Sequence, residues 1–201
     1  MITAAQPPHL TPDDYLQLEA RSPVKHEYIN GEIVAMAGAS DAHVTIAGNI
    51  FSLLRAHLRG TGCRVYISDM KVRLDACNCF YYPDVFVTCD PRDQETATYK
   101  RFPCLIVEVL SDSTEAFDRG DKFIHYQTLD SLQEYVLVNT RQQRVECFRR
   151  SDAKQWLWQS YTSAEGTVQF TSLNWTAPLS DLYEDVTLEP PLPPPPDCHD
   201  D

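Results

Sequence analysis

The sequence predicts an α/β (α+β) domain: a mixed central β-sheet flanked by helices, with an N-terminal helix and hairpin in front. Helical periodicity appears at residues 11–19, 41–58 and 113–129. Short apolar runs rich in β-branched residues lie between and after these segments. The run Leu105–Leu110 reads as a strand buried on both faces, yet Glu108 stands inside it. An unpaired carboxylate there would cost several kcal/mol, on the order of the penalty for a buried ion.

Each element has a local cause. Thr11 can cap a helix that has Pro12 at its first position and acids in its first turn. Asn30-Gly31 is a two-residue turn signal between strand-like flanks, which makes "HEYINGEIVAM" a hairpin. Ala47, Ile50, Leu54 and Leu58 recur on one face of a helix that Asp41 can cap and Gly60 and Gly62 end. "CRVYISDMKVRLD" and "FYYPDVFVTCD" read as two strands, and "RDQETATYKR" as a polar loop. After the Glu108 strand, "STEAFDRGDKFIHYQTL" is one helix with Ser113 or Thr114 near its cap. "EYVLVN" is a further strand, and "RVECFRR", "QWLWQSY" and "TVQFTSL" form a closing meander.

The 201 residues suffice for one domain with a sizeable core, expected over 1–180. Residues 181–201 form an acidic, Pro-rich tail that is expected to be disordered. The net charge is −12, and the tail holds seven acids with no Lys or Arg. This balance argues against a generic nucleic-acid binder, so any basic surface must be local. No stretch approaches the length of a membrane span, and the N-terminus lacks a secretory pattern, so no membrane partner and a cytoplasmic location are expected. The seven cysteines (63, 77, 79, 89, 104, 147 and 198) are odd in number and scattered. They are expected to be reduced and to pack as small hydrophobes. Cys77 and Cys79 form a C-x-C pair, with no second pair to complete a zinc site.

Asp84, Glu108 and Lys122 stand out together. A strand bearing Asp, a strand bearing Glu and a helix bearing Lys can converge at one sheet edge. Paired carboxylates there form a hard-ligand site suited to Mg²⁺ or Mn²⁺, and a lysine beside them can orient water or stabilise charge on a phosphate. Each also has a plainer reading. Asp84 follows Pro83 as turn residues do, and Lys122 stands four residues after Asp118, the spacing of a surface helix pair.

"YYPDVFV", then "LIVEVLSDST", "DRGDKFIHY" and "EYVLV", together with "HEYINGEIVAMAGAS" and "HVTIAGNIFSLL" upstream, resemble the putative restriction endonuclease (DUF820-type) family of the PD-(D/E)XK nuclease superfamily. The resemblance runs from about Thr11 to about Thr171. It implies a restriction-endonuclease-like core, with Asp84 and Glu108 as metal ligands and the Val109 carbonyl completing the set. The strand position where the superfamily carries lysine is Leu110, and the resemblance assigns that role to Lys122 on the next helix. Glu27 corresponds to the family's early acid, with Glu32 close by, and His43 matches a family histidine near a helix start. The implied activity is a DNA endonuclease using Mg²⁺ or Mn²⁺, with DNA as substrate and a homodimer as the assembly. The alternatives are a catalytically inactive interaction module with the nuclease fold, or a hydrolase of another phosphoester.

Other features have plainer readings. Asp118, Lys122 and Tyr126 share one helix face, where Asp118 can position Lys122 and Tyr126 is expected to pack. Arg141, Arg144, Arg149, Arg150 and Lys154 near Trp156 and Trp158 could contact a nucleic-acid backbone, but a solvated hairpin is the expected reading. Arg55, His57 and Arg59 suit a helix C-terminus.

Overall fold

A computed structural model of the chain describes residues 9–163 and 166–190. Helix α1 (Pro12–Glu19) opens with a capping box: the Thr11 hydroxyl accepts from the Asp14 N–H, and the Asp14 carboxylate accepts from the Thr11 N–H. Strands β1 (His26–Ile29) and β2 (Glu32–Ala35) form the expected hairpin. Asn30 (φ 47°) and Gly31 (φ 98°) supply the two positive angles of its turn. Helix α2 (Asp41–His57) is capped by Ser40 rather than Asp41, and the Ser40 hydroxyl accepts from the His43 N–H at 3.3 Å.

The two runs expected as single strands are each divided. The first becomes β3 (Arg64–Ile67) and β4 (Lys71–Leu74), broken where Ser68 takes a φ of 48°. The second becomes β5 (Cys79–Tyr81) and β6 (Val85–Thr88), broken at Pro83, which has no N–H to donate to a ladder. At both breaks the chain crosses from one sheet to another. The expected polar loop contains a 3₁₀ turn (Pro91–Gln94) and the short β7 (Tyr99–Lys100), ahead of β8 (Pro103–Val109). The single helix expected next is two, α3 (Glu115–Arg119) and α4 (Asp121–Tyr126), separated by Gly120 at φ −106°, ψ −106°. Strands β9 (Glu134–Val138), β10 (Arg144–Arg150), β11 (Trp156–Thr162), β12 (Thr167–Phe170) and β13 (Trp175–Pro178), and helix α5 (Leu179–Leu182), follow.

The fold is α+β. Its central mixed sheet has the order β11-β10-β9-β8-β6-β3, with β8 and β9 parallel. A second sheet, β2-β1-β5-β4-β7, was not foreseen as separate. The expected meander ends at β11, because β12 pairs with β13 in a small sheet of its own.

The alternation of β8 places the site. Leu105, Val107 and Val109 join the core cluster that includes Ile46, Ile50 and Leu54 of α2. Ile106 and Leu110 join the opposite cluster with Tyr126 of α4 and Tyr135 of β9. Glu108 shares the parity of Ile106 and Leu110, so it faces α4 rather than the apolar contact with α2.

Three further expectations are corrected. The tail does not begin at 181: Leu182 and Tyr183 are buried in the α2-side core, and the Glu189 carboxylate accepts from the Thr140 hydroxyl. The proline run and Cys198 lie outside the described residues. Cys63 and Cys89 form a disulfide rather than staying reduced. They follow directly on the β3–β6 pair Arg64–Thr88, so the antiparallel register sets them opposite each other, with Cα atoms 4.0 Å apart. The arginines of the β10–β11 hairpin are engaged within the fold: Arg149 with Glu134, Arg144 with Ser160, and Arg150 with the Gln127 and Leu129 carbonyls. Among the described residues, no helix is long and apolar enough to cross a membrane.

Alanine in place of Gly31 would carry a left-handed backbone and push its Cβ into the His9 ring. Gly31→Ala is expected to lower stability by about 1–2 kcal/mol in urea unfolding.

Candidate active site

Four acids and one lysine meet where the two larger sheets and α4 converge. Glu108 comes from the middle of β8, and Asp84 from the residue just before β6. The strand pairing Val85–Val107 brings Asp84 beside Glu108. The Asp84 N–H donates to Glu108 Oε2 at 3.2 Å, and the Val109 N–H donates to Asp84 Oδ2 at 2.7 Å. This reciprocal pair fixes both carboxylates on the backbone of the neighbouring strand.

Lys122 completes the centre. Its Nζ lies 3.1 Å from Glu108 Oε1, 3.2 Å from Glu27 Oε1 and 3.3 Å from Asp118 Oδ1. The break at Gly120 does not separate Lys122 from Asp118, one turn earlier. Glu27 reaches the cluster from β1, whose alternation buries Tyr28 on the other side, and Glu27 Oε1 also accepts from the Tyr82 N–H at 3.2 Å. Only 3% of the Glu108 side chain and 7% of the Lys122 side chain remain exposed, so these charges compensate one another at low dielectric.

The charges do not balance. Burial raises the Glu108 pKa; Lys122 pulls it down, while Asp118, Asp84 and Glu27 push it up, and the net direction is up. Burial alone would lower Lys122, but Glu108, Glu27 and Asp118 override it and raise its pKa. Lys122 therefore stays an ammonium. Asp118 Oδ1 is buried and accepts no well-formed hydrogen bond among the described residues.

His43, at the start of α2, closes the other side. Its Nε2 lies 3.2 Å from Asp84 Oδ2. Burial would lower its pKa, but the hydrogen bond and charge of Asp84, with the Val109 backbone, raise it. Tyr126 corrects an expectation of pure packing: its hydroxyl donates to Glu108 Oε1 at 2.9 Å. Its place four residues after Lys122 was the available signal. Glu32, the other acid near the hairpin turn, is exposed and does not line the cleft. Glu27, His43, Asp84, Glu108, Asp118 and Lys122 all line one open cleft of about 780 Å³, whose other walls include Val34, Met36 and Val44. The Leu110 side chain is buried in the apolar cluster beside it.

Residues 12–180 match the Uma2 family, described as Putative restriction endonuclease. The chain belongs to this family. Among similar proteins, the Synechocystis sp. protein slr1290, named as uncharacterized, is 41% identical over 158 residues, 79% of this chain and 83% of its own. A second from the same organism, sll1609, also named as uncharacterized, is 33% identical over 173 residues, 85% and 98% of the two chains. The crystal structure of a putative nuclease belonging to DUF820 from Anabaena variabilis superposes with a TM-score of 0.71 at 18% identity, over 87% of this chain and 97% of that one. The Uma2 chain thus shares that nuclease's fold.

Lys122→Met leaves buried carboxylates without their cation and is expected to destabilise the protein by about 3–5 kcal/mol in urea unfolding with chelator present. Tyr126→Phe keeps the ring and removes one donor, so a smaller loss of about 1–3 kcal/mol is expected.

Proposed function

We propose that this Uma2 protein is a metal-dependent DNA endonuclease that hydrolyses phosphodiester bonds at the Asp84–Glu108–Lys122 centre. The observation that carries the reading is the position of Lys122. Its ammonium lies against Glu108 although it comes from α4, and Leu110 fills the strand position without a charge. The chain thereby supplies from a helix the cation missing from the strand.

The donor set fits a hard divalent cation. It is built of carboxylate oxygens in a cleft with more negative than positive charge, and burial among acids raises Glu108. Asp84 and Glu108, with the Val109 carbonyl, are the residues that would hold Mg²⁺ or Mn²⁺. Such a cation would supply Lewis-acid charge to the scissile phosphate and a bound water of lowered pKa.

The remaining work belongs to the chain's own residues. Val109 and His43 hold Asp84 in one orientation through contacts to Oδ2. Tyr126 and Lys122 do the same for Glu108 through Oε1. Held between three carboxylates, Lys122 acts as a fixed positive charge toward a phosphate oxygen and the attacking water, not as a proton acceptor. Glu27 lines the cleft and, with Asp118, holds the Lys122 ammonium. The network is preorganised, so little reorganisation is left for the transition state.

The test is cleavage of DNA by the full chain with Mg²⁺ or Mn²⁺, with RNA and a simple phosphodiester as parallel substrates. Asp84→Ala and Glu108→Gln are expected to lose cleavage while remaining folded by circular dichroism. Lys122→Met, assayed at a temperature where it stays folded, is expected to lower the rate by about 10²–10³. A wild-type rate in either carboxylate variant removes the assigned site. Turnover of the simple diester without DNA cleavage redirects the reading to another phosphoester.

A further inference from the structure

The C-x-C pair acquires a third partner in the fold. Cys77 lies in the turn between β4 and β5, Cys79 opens β5, and His125 stands near the end of α4. One potential ligand atom from each lies within 4.8 Å of the others, and Cys79 Sγ is 4.0 Å from His125 Nδ1. The histidine is 46 residues away in sequence from Cys79, which is why spacing along the chain did not suggest it.

The geometry points to a second metal site, with Cys77, Cys79 and His125 as ligands for a thiophilic d¹⁰ cation, Zn²⁺ or Cu⁺. Two sulfurs and an imidazole nitrogen form the soft to borderline donor set these ions take and Mg²⁺ does not. Zn–S bonds of about 2.3 Å and Zn–N bonds of about 2.0–2.1 Å require ligand atoms a little closer together than 4.8 Å, a small contraction. Cys79 is buried, whereas Cys77 and His125 are half-buried, which leaves an approach from solvent.

The surroundings also suit a ligand set. The Tyr81 hydroxyl lies 2.6 Å from His125 Nδ1, and the two rings stack at 14°. Nδ1 is also the ring nitrogen that faces Cys79 Sγ, so a cation bound there would take the place of this contact and leave the phenol oxygen as a further donor beside the site. The site is separate from the carboxylate centre, and Tyr81 stands between them, with Lys122 Nζ 5.4 Å from its ring centroid. A cation held there ties α4 to the β4–β5 turn.

The test uses the full chain purified anaerobically without reductant, so that the Cys63–Cys89 disulfide persists. Titration with Co²⁺, as a coloured stand-in for Zn²⁺, is expected to give a thiolate-to-metal absorption band that excess Zn²⁺ removes. The band should persist in Asp84→Ala, which separates this site from the proposed nuclease centre, and disappear in Cys79→Ser. His125→Ala is expected to weaken binding by at least roughly the tenfold that loss of an outer-shell partner costs. Zn²⁺ or Cu⁺ should also shield Cys77 and Cys79 of the wild-type protein from alkylation while leaving Cys104 unchanged, a readout that needs no variant to fold. Relative protection by the two ions identifies the preferred one. No band in the wild type, a band that survives in Cys79→Ser, or no protection by either ion overturns the site.

Discussion

The Lys122 ammonium joins elements that no common strand ladder connects. Glu27 belongs to the second sheet, Glu108 to the central sheet and Asp118 to α3, and each presents a carboxylate to the same nitrogen. Each acid would be costly to bury alone, and so would the lysine; their mutual contacts offset part of that cost. The rest of the architecture serves this contact. The alternation of β8 turns Glu108 toward α4, and the β6–β8 register brings Asp84 alongside it. The Asn30-Gly31 turn fixes the register in which β1 delivers Glu27.

A lysine on a helix is positioned less directly than one on a strand. Backbone ladders on both sides fix a strand residue, whereas α4 is only six residues long and depends on tertiary contacts. Those contacts are visible. Arg119 makes a two-bond pair with Glu146 of β10, at 2.9 and 3.0 Å, and anchors α3 to the central sheet. The Tyr135 hydroxyl donates to the Asp118 carbonyl at 2.9 Å, close to the α3–α4 break. Tyr126 fastens the far end of α4 to Glu108 itself. The helix that carries Lys122 is thus tied before, at and after the lysine.

Much of this was legible in the sequence, and the limits have physical causes. A carboxylate inside an apolar strand demands a partner wherever it occurs, so Glu108 was visible from its flanks. The hairpin and α1 were visible because their signals are local: a turn that needs positive φ and a cap that needs a hydroxyl. The division of β3 from β4 and of β5 from β6 was not, since it reflects a crossing between sheets that the composition of either run does not record. The break at Gly120 was hidden by an apolar pattern that continues through it. Tyr126 looked like a packing residue because it is one: the ring fills the core cluster while its hydroxyl serves Glu108. The Cys63–Cys89 pair depends on register, and register is set by strands whose partners lie far along the chain.

Leu110 shows how the two kinds of information meet. On sequence alone it is an ordinary apolar residue ending an apolar run. In the fold it shares the face of Glu108, yet its side chain belongs to the cluster with Tyr126, Leu137 and Tyr135 rather than to the charged centre. A lysine at that position would have to extend from an apolar wall to reach the carboxylates. Lys122 approaches from α4 and meets Glu108, Glu27 and Asp118 at once, a set of contacts that joins both larger sheets and the helix pair. The exchange of position therefore couples the charge of the site to the docking of α3 and α4. Any change that loosens Arg119–Glu146 or Tyr126–Glu108 acts on Lys122 without touching it.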